Sequence, residues 1–75
     1  MNTASSRIQS DQDMGQIIRA RRKALGMSQE MMSSLTGIAQ PNLSNIERGK
    51  SDTSLATYLR LCALLGIDLM ASMRS

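Results

Sequence analysis

Glycine recurs at positions 26, 37, 49 and 66, each time just after a short run whose apolar residues are spaced three and four apart. Glycine enters the left-handed backbone region at little steric cost, which is how many helices are stopped. The spacing divides the chain into segments of about two to four turns. Helices that short are marginal alone and stand only by packing on one another. With 75 residues there is room for one domain, and Tyr58 is the sole aromatic, so the core must come from Leu, Ile, Met and Ala. That composition favours helices over strands. A core so small, without disulfide or metal, usually needs a second copy to hold it, so a homodimer is expected.

Several chemistries are excluded. The sequence has no His, hence no imidazole base, no Ser-His-Asp triad and no His-ligated metal. One cysteine, Cys62, allows neither an internal disulfide nor a CxxC pair and suits a reducing compartment. No apolar run approaches the roughly 18–20 residues of a membrane span, and Met1 to Gln9 is Ser/Thr/Asn-rich without the apolar stretch of a signal peptide. We therefore expect a cytoplasmic protein without cofactor or enzyme activity. Nine Lys/Arg against six Asp/Glu give a net charge of +3, and four of the nine lie within Arg19–Lys23. Such a balance fits a polyanion binder as well as a solvated helix face.

Along the chain, residues 1–9 read as a flexible arm. Ser10 caps a first helix, with Asp11 and Asp13 in its first turn and Met14, Ile17, Ile18 and Leu25 at helical spacing. Ser28 caps a second, anchored by Met31, Met32 and Leu35; a third begins near Gln40, with Pro41 where a missing N–H costs nothing. Asp52 or Thr53 caps a fourth, whose apolar stripe from Leu55 to Leu65 is too wide for one contact. One side should face the core and the other a partner subunit. Beyond Gly66, Ile67, Leu69, Ala71 and Met73 alternate with other residues in the period of a strand. Alone it has nothing to pair with, so pairing with the same segment of a second copy is the expectation, a frayed tail or helix extension the alternative.

Two short helices joined through Thr36-Gly37-Ile38 describe a helix-turn-helix. Leu25-Gly26-Met27-Ser28-Gln29-Glu30 and the run Gly37-Ile38-Ala39-Gln40-Pro41-Asn42-Leu43-Ser44-Asn45-Ile46-Glu47-Arg48-Gly49-Lys50 resemble the lambda-repressor/Cro-like (XRE) family over about residues 15–66. The resemblance implies an all-α bundle of four or five helices, with residues 10–66 as a DNA-binding domain.

At about 100° per residue, Leu43 and Ile46 point inward while Pro41, Ser44, Asn45 and Arg48 fan across the opposite face, with Gln40 at its border. Amides can pair with adenine N6 and N7, a hydroxyl serves as donor or acceptor, and Pro41 offers an apolar edge to a thymine methyl. Gln40, Pro41, Ser44 and Asn45 are therefore the candidate base readers. Gln29, at a helix N-terminus, is a candidate phosphate ligand, as are Asn42, Arg48 and Lys50; the resemblance adds that Gln29 braces Gln40. It also implies that Arg22 and Glu47 form a structural ion pair, which keeps the carboxylate from facing phosphate. Ala39 is a poor N-cap and stands where a basic reader can occur in the family, so a shared operator sequence is not implied.

The flanks resemble the HipB-like antitoxins: Arg7-Ile8-Gln9-Ser10, Asp52-Thr53-Ser54-Leu55 and Leu69-Met70-Ala71-Ser72-Met73. That implies a homodimer mated through residues 67–75 (Ile67, Leu69, Ala71, Met73), repressing its own operon at a palindromic operator and neutralising a HipA-type Ser/Thr kinase toxin. HipB-type antitoxins can carry a tail ending in an aromatic, and this sequence has no Trp, which puts any toxin contact through such a tail in doubt. A stand-alone XRE-family regulator and a mainly protein-binding helical module are the alternatives.

Overall fold

A computed structural model describes residues 6–74, so the arm expected over residues 1–9 lies outside the described residues for 1–5, as does Ser75. Four helices follow in order: α1 (Asp11–Ala24), α2 (Gln29–Thr36), α3 (Gln40–Glu47) and α4 (Leu55–Leu65). Helix α1 packs on α3 and α4, and α2 packs on α3.

Local chemistry sets the boundaries. Ser10 Oγ accepts from the Asp13 N–H at 3.1 Å, and Asp13 in return accepts from the Gln9 N–H at 2.9 Å. Ser28 Oγ accepts from Met31 N–H at 3.0 Å. The cap of α4 is Ser54, not Asp52 or Thr53: its Oγ accepts from the Thr57 N–H, while the Thr53 hydroxyl is turned to Ser51. At the end of α3, Gly49 lies at φ 70°. Its N–H then donates to the Ile46 carbonyl and that of Lys50 to the Asn45 carbonyl, closing the helix with two backward bonds.

The core joins Met14 and Ile18 of α1, Met32 of α2, Leu43 and Ile46 of α3, and Tyr58, Leu61, Cys62 and Leu65 of α4. Ile17 is only half-buried and Leu25 is exposed. Of the three anchors expected in α2 only Met32 is buried, while Met31 and Leu35 are exposed; α2 packs chiefly on α3. In α4 the stripe is split as its width implied, with Leu55, Leu59 and Leu64 exposed.

The strand expected after Gly66 is not formed: residues 67–74 carry no regular secondary structure. A lone strand has no ladder to satisfy its N–H and C=O groups. Instead Ile67 and Leu69 pack against the protein's own core, while Met70 and Met73 stay 91% and 85% exposed. The four residues expected to share one dimer face are thus divided: Ile67 and Leu69 turn inward, while Ala71 and Met73 are exposed.

Gly15 fixes the α1–α3 spacing. A Cβ there would lie 2.3 Å from the Ile46 carbonyl oxygen and 2.7 Å from that of Glu47, so only glycine allows the approach. Gly49 rests on the Gln12 backbone in the same way. Helix α3 is therefore pinned at its C-terminal end along α1.

Candidate nucleic-acid interface

The turn between α2 and α3 is held by side chains as well as by glycine. Gly37 takes φ 75°. Ser33 Oγ donates to the Ile38 carbonyl at 2.6 Å; Thr36 Oγ1 donates to the Met32 carbonyl and accepts from the Ile38 N–H. From α4, Arg60 donates to the Thr36 carbonyl at 2.6 Å, satisfying a free carbonyl at the end of α2. These bonds fix the direction in which α3 leaves. Ala39 precedes it without a side-chain cap, and Pro41 stands in its first turn.

Beneath α3 lies a buried polar cluster. Arg22 Nε and Nη2 donate to the two carboxylate oxygens of Glu47 at 2.7 and 2.9 Å, and Nη1 donates to the Met27 carbonyl at 2.8 Å. The two side chains are 8% and 2% exposed. Gln29 Nε2 adds a third donor to Glu47 at 3.1 Å, so its amide is turned to the carboxylate rather than to Gln40. Burial alone would raise the Glu47 carboxyl, but hydrogen bonds from Arg22 and Gln29, with the positive field of Arg22 and Arg19, hold it below the usual carboxylate range. Among the described residues no buried side-chain polar atom is left without a partner.

Above this cluster, Arg19, Gln29, Ser44, Glu47 and Arg48 line a shallow cleft of about 230 Å³. Three of the sequence candidates, Gln29, Ser44 and Arg48, thus meet around one depression. Asn45 is half-buried beside them, its Oδ1 accepting from Arg48 Nη2 at 2.8 Å. Gln40, Pro41, Asn42 and Lys50 are exposed and lie outside the cleft.

The basic run Arg19–Lys23 separates into different tasks. Arg22 is buried against Glu47, Arg21 donates to the Leu65 carbonyl at the end of α4, and Arg19 faces the cleft. Arg19 is the site residue that sequence reasoning missed. Its signal is the three-residue spacing from Arg22, which puts both on one side of α1. Apart from Glu47, whose charge is paired with Arg22, the groups gathered here are hydroxyls, amides and cations, suited to a polyanion with readable edges. No His/Cys/Asp/Glu group able to hold a metal occurs among the described residues, and among them no helix is long and apolar enough to cross a membrane.

Residues 18–70 match the family described as helix-turn-helix. The chain belongs to that family, in its XRE-type branch. A restriction-modification controller protein, C.AhdI from Aeromonas hydrophila, is similar at 34% identity over 77% of this chain and 88% of its own, with a TM-score of 0.70. An uncharacterized HTH-type transcriptional regulator of Haemophilus influenzae is 42% identical over 45 residues, 60% of this chain; the chain spans about half the length of that relative (46%). The fold is shared with HipB in a HipB–O4 20mer complex (TM-score 0.79, 21% identity, 95% of this chain and 100% of that one). It is shared equally with a chain of a HipA–HipB–O2–O3 complex (TM-score 0.80, 21% identity, 95% and 100%).

Proposed function

We propose that this protein is a cytoplasmic, sequence-specific DNA-binding repressor that acts as a homodimer on a palindromic operator. The observation that carries the reading is the outer face of α3. Gln40, Pro41, Ser44 and Asn45 stand on the side opposite Leu43 and Ile46, with Arg19, Arg48 and Lys50 along its edges and the acid Glu47 withdrawn beneath. Residues 10–66 form the reading unit. Its base-edge contacts come from the amides and the hydroxyl, its phosphate contacts from Gln29, Asn42, Arg48 and Lys50. Two copies related by a twofold axis place their α3 helices about 34–36 Å apart, one turn of duplex. The copies mate through residues 67–75 together with the exposed side of α4; Ile67 and Leu69 then leave their intramolecular contacts or are covered from outside.

Within that reading, the resemblance of the flanks and the fold shared with HipB support an antitoxin role, with a HipA-type kinase as second partner. A stand-alone regulator is the competing reading, and the exposed Leu55, Leu59, Leu64, Met70 and Met73 favour a protein contact of some kind in either case.

The test is binding to duplexes selected from a random pool, followed across a salt series. Expected are an enriched inverted repeat and a log–log salt slope that steepens with the number of phosphates neutralised. Lys50→Ala should weaken all sequences alike and reduce that slope by about 1. A flat salt response with no enriched sequence refutes the reading. Co-purification with the product of a neighbouring kinase-sized reading frame separates antitoxin from stand-alone regulator.

A further inference from the structure

Arg48 stands at the C-cap of α3, where an exposed arginine ordinarily serves as a point of attraction for phosphate. Its guanidinium, however, is folded back along its own helix. Nε donates to the Ser44 carbonyl at 3.3 Å and Nη2 donates to Asn45 Oδ1 at 2.8 Å. Because arginine has donors only, this contact also fixes the Asn45 amide: the oxygen faces Arg48 and the NH₂ points away from it. A free asparagine would offer one acceptor and two donors, the pattern that matches adenine N7 and N6. Here the acceptor is partly occupied and lies beside a full positive charge, which repels the N6 amino donor. What the pair still presents is the Asn45 NH₂ and the unused guanidinium N–H groups, all donors.

We propose that Asn45 and Arg48 read DNA as one unit, and that the unit selects guanine, whose O6 and N7 present two acceptors in the major groove. The inference rests on the DNA-binding function proposed above and changes the part of two residues in it. Arg48 becomes a specificity-determining residue rather than a phosphate anchor, and Asn45 a reader of guanine rather than adenine. Neither residue belongs to the hydrophobic core or hydrogen-bonds to the Arg22–Glu47 pair, so their replacement leaves the fold in place.

The experiment compares the full-length protein with Asn45→Ala, Arg48→Ala, Arg48→Lys and the double alanine variant. Each is bound to the duplex enriched by the wild type and to its three single-base replacements at every half-site position. At one position per half-site the wild type should prefer guanine by about ten- to a hundredfold, the range of one good bidentate contact. Either alanine variant should abolish that preference, and the double variant should lose no more than the singles. Arg48→Lys keeps the charge without the planar fork; it should recover affinity for all sequences but not the guanine preference. Uniform weakening by Arg48→Ala, with base preferences intact, overturns the proposal, as does adenine at the position that Asn45→Ala relaxes. If the wild type enriches no sequence, the DNA-binding reading fails first and this one with it; enrichment with additive variants sinks the pair alone.

Discussion

Replacing Gly15 with alanine sets two effects against each other. Glycine inside a helix is less favourable than alanine by about 1 kcal/mol, so propensity alone predicts a more stable protein. The packing predicts the reverse. The new Cβ would lie 2.3 Å from the Ile46 carbonyl oxygen, where ordinary contact begins near 3.4 Å. The obstructing atoms are backbone atoms of α3 and cannot rotate away, so α1 and α3 must part by roughly 1 Å. That movement opens the contacts among Met14, Ile18, Leu43 and Ile46 and stretches the Arg22–Glu47 pair. Overpacking of this kind costs about 1–3 kcal/mol, occasionally more. With every atom of the clash in main chain, the upper part of that range applies, and the loss after propensity is about 2 kcal/mol. In a domain of this length that lowers Tm by roughly 8–16 °C. Thermal unfolding followed by far-ultraviolet circular dichroism measures it. Gly26→Ala is the comparison: its Cβ meets nothing within 4 Å, but φ is +71°. Its cost is the left-handed backbone alone, about 1–2 kcal/mol. A Tm for Gly15→Ala equal to or above that of the parent protein refutes the close approach.

Three further outcomes are expected. The Glu47 carboxyl is held below its ordinary value of 4.5, so the stability it contributes is fully present above that pH and is lost as pH falls through the depressed folded value. Urea midpoints measured through that acid range should drop steeply for the parent and more gently for Glu47→Gln, which at neutral pH loses roughly 3–5 kcal/mol because Arg22 is left buried without its partner. Burial, the hydrogen bond to Asp11 at 2.6 Å and that residue's charge push the Tyr58 hydroxyl up to about 12. Its contribution is complete below about 10 and is lost as pH climbs through 12; phenolate absorbance reports it without interference, since Tyr58 is the only aromatic residue, and a midpoint near 10 would refute the contact. Arg19→Ala should reduce the salt slope of DNA binding by about 1 without altering base preference; an unchanged slope removes Arg19 from the interface.

The helices were legible because their signals are local. Ser10 and Ser28 as caps, Pro41 in a first turn and a glycine after each apolar run act within a few residues of themselves, and periodicity then assigns Leu43 and Ile46 to the inside. The sequence places the cap of α4 one or two residues early because Asp52 and Thr53 are as competent as Ser54; in the fold the Thr53 hydroxyl is engaged by Ser51 and Ser54 takes the cap. The strand expected over residues 67–74 is absent for a different reason. Alternation records which side chains are apolar, not what covers them, and Ile67 and Leu69 find their cover in the chain's own core. The close approach at Gly15 left no local trace at all: it exists only because α3 crosses α1 at that residue.

The charge run on α1 shows how position converts composition into function. Arg19, Arg21 and Arg22 are equivalent as sequence, yet α3 and α4 differentiate them: one neutralises Glu47, one closes α4, one is left to the cleft. The same crossing fixes α3 along its inner edge only. Gln12 lies against Gly49, Gly15 against the Ile46 and Glu47 carbonyls, and Arg22 against the Glu47 carboxylate, so these close contacts from α1 fall at the C-terminal end of α3 and just beyond it. Gln40, Pro41 and Asn42 on its exposed N-terminal half bear none of that load. Substitutions there should therefore move base preference while leaving Tm within about 0.5 kcal/mol of equivalent stability, the range of surface changes, whereas substitutions at Gly15 or Glu47 should do the opposite.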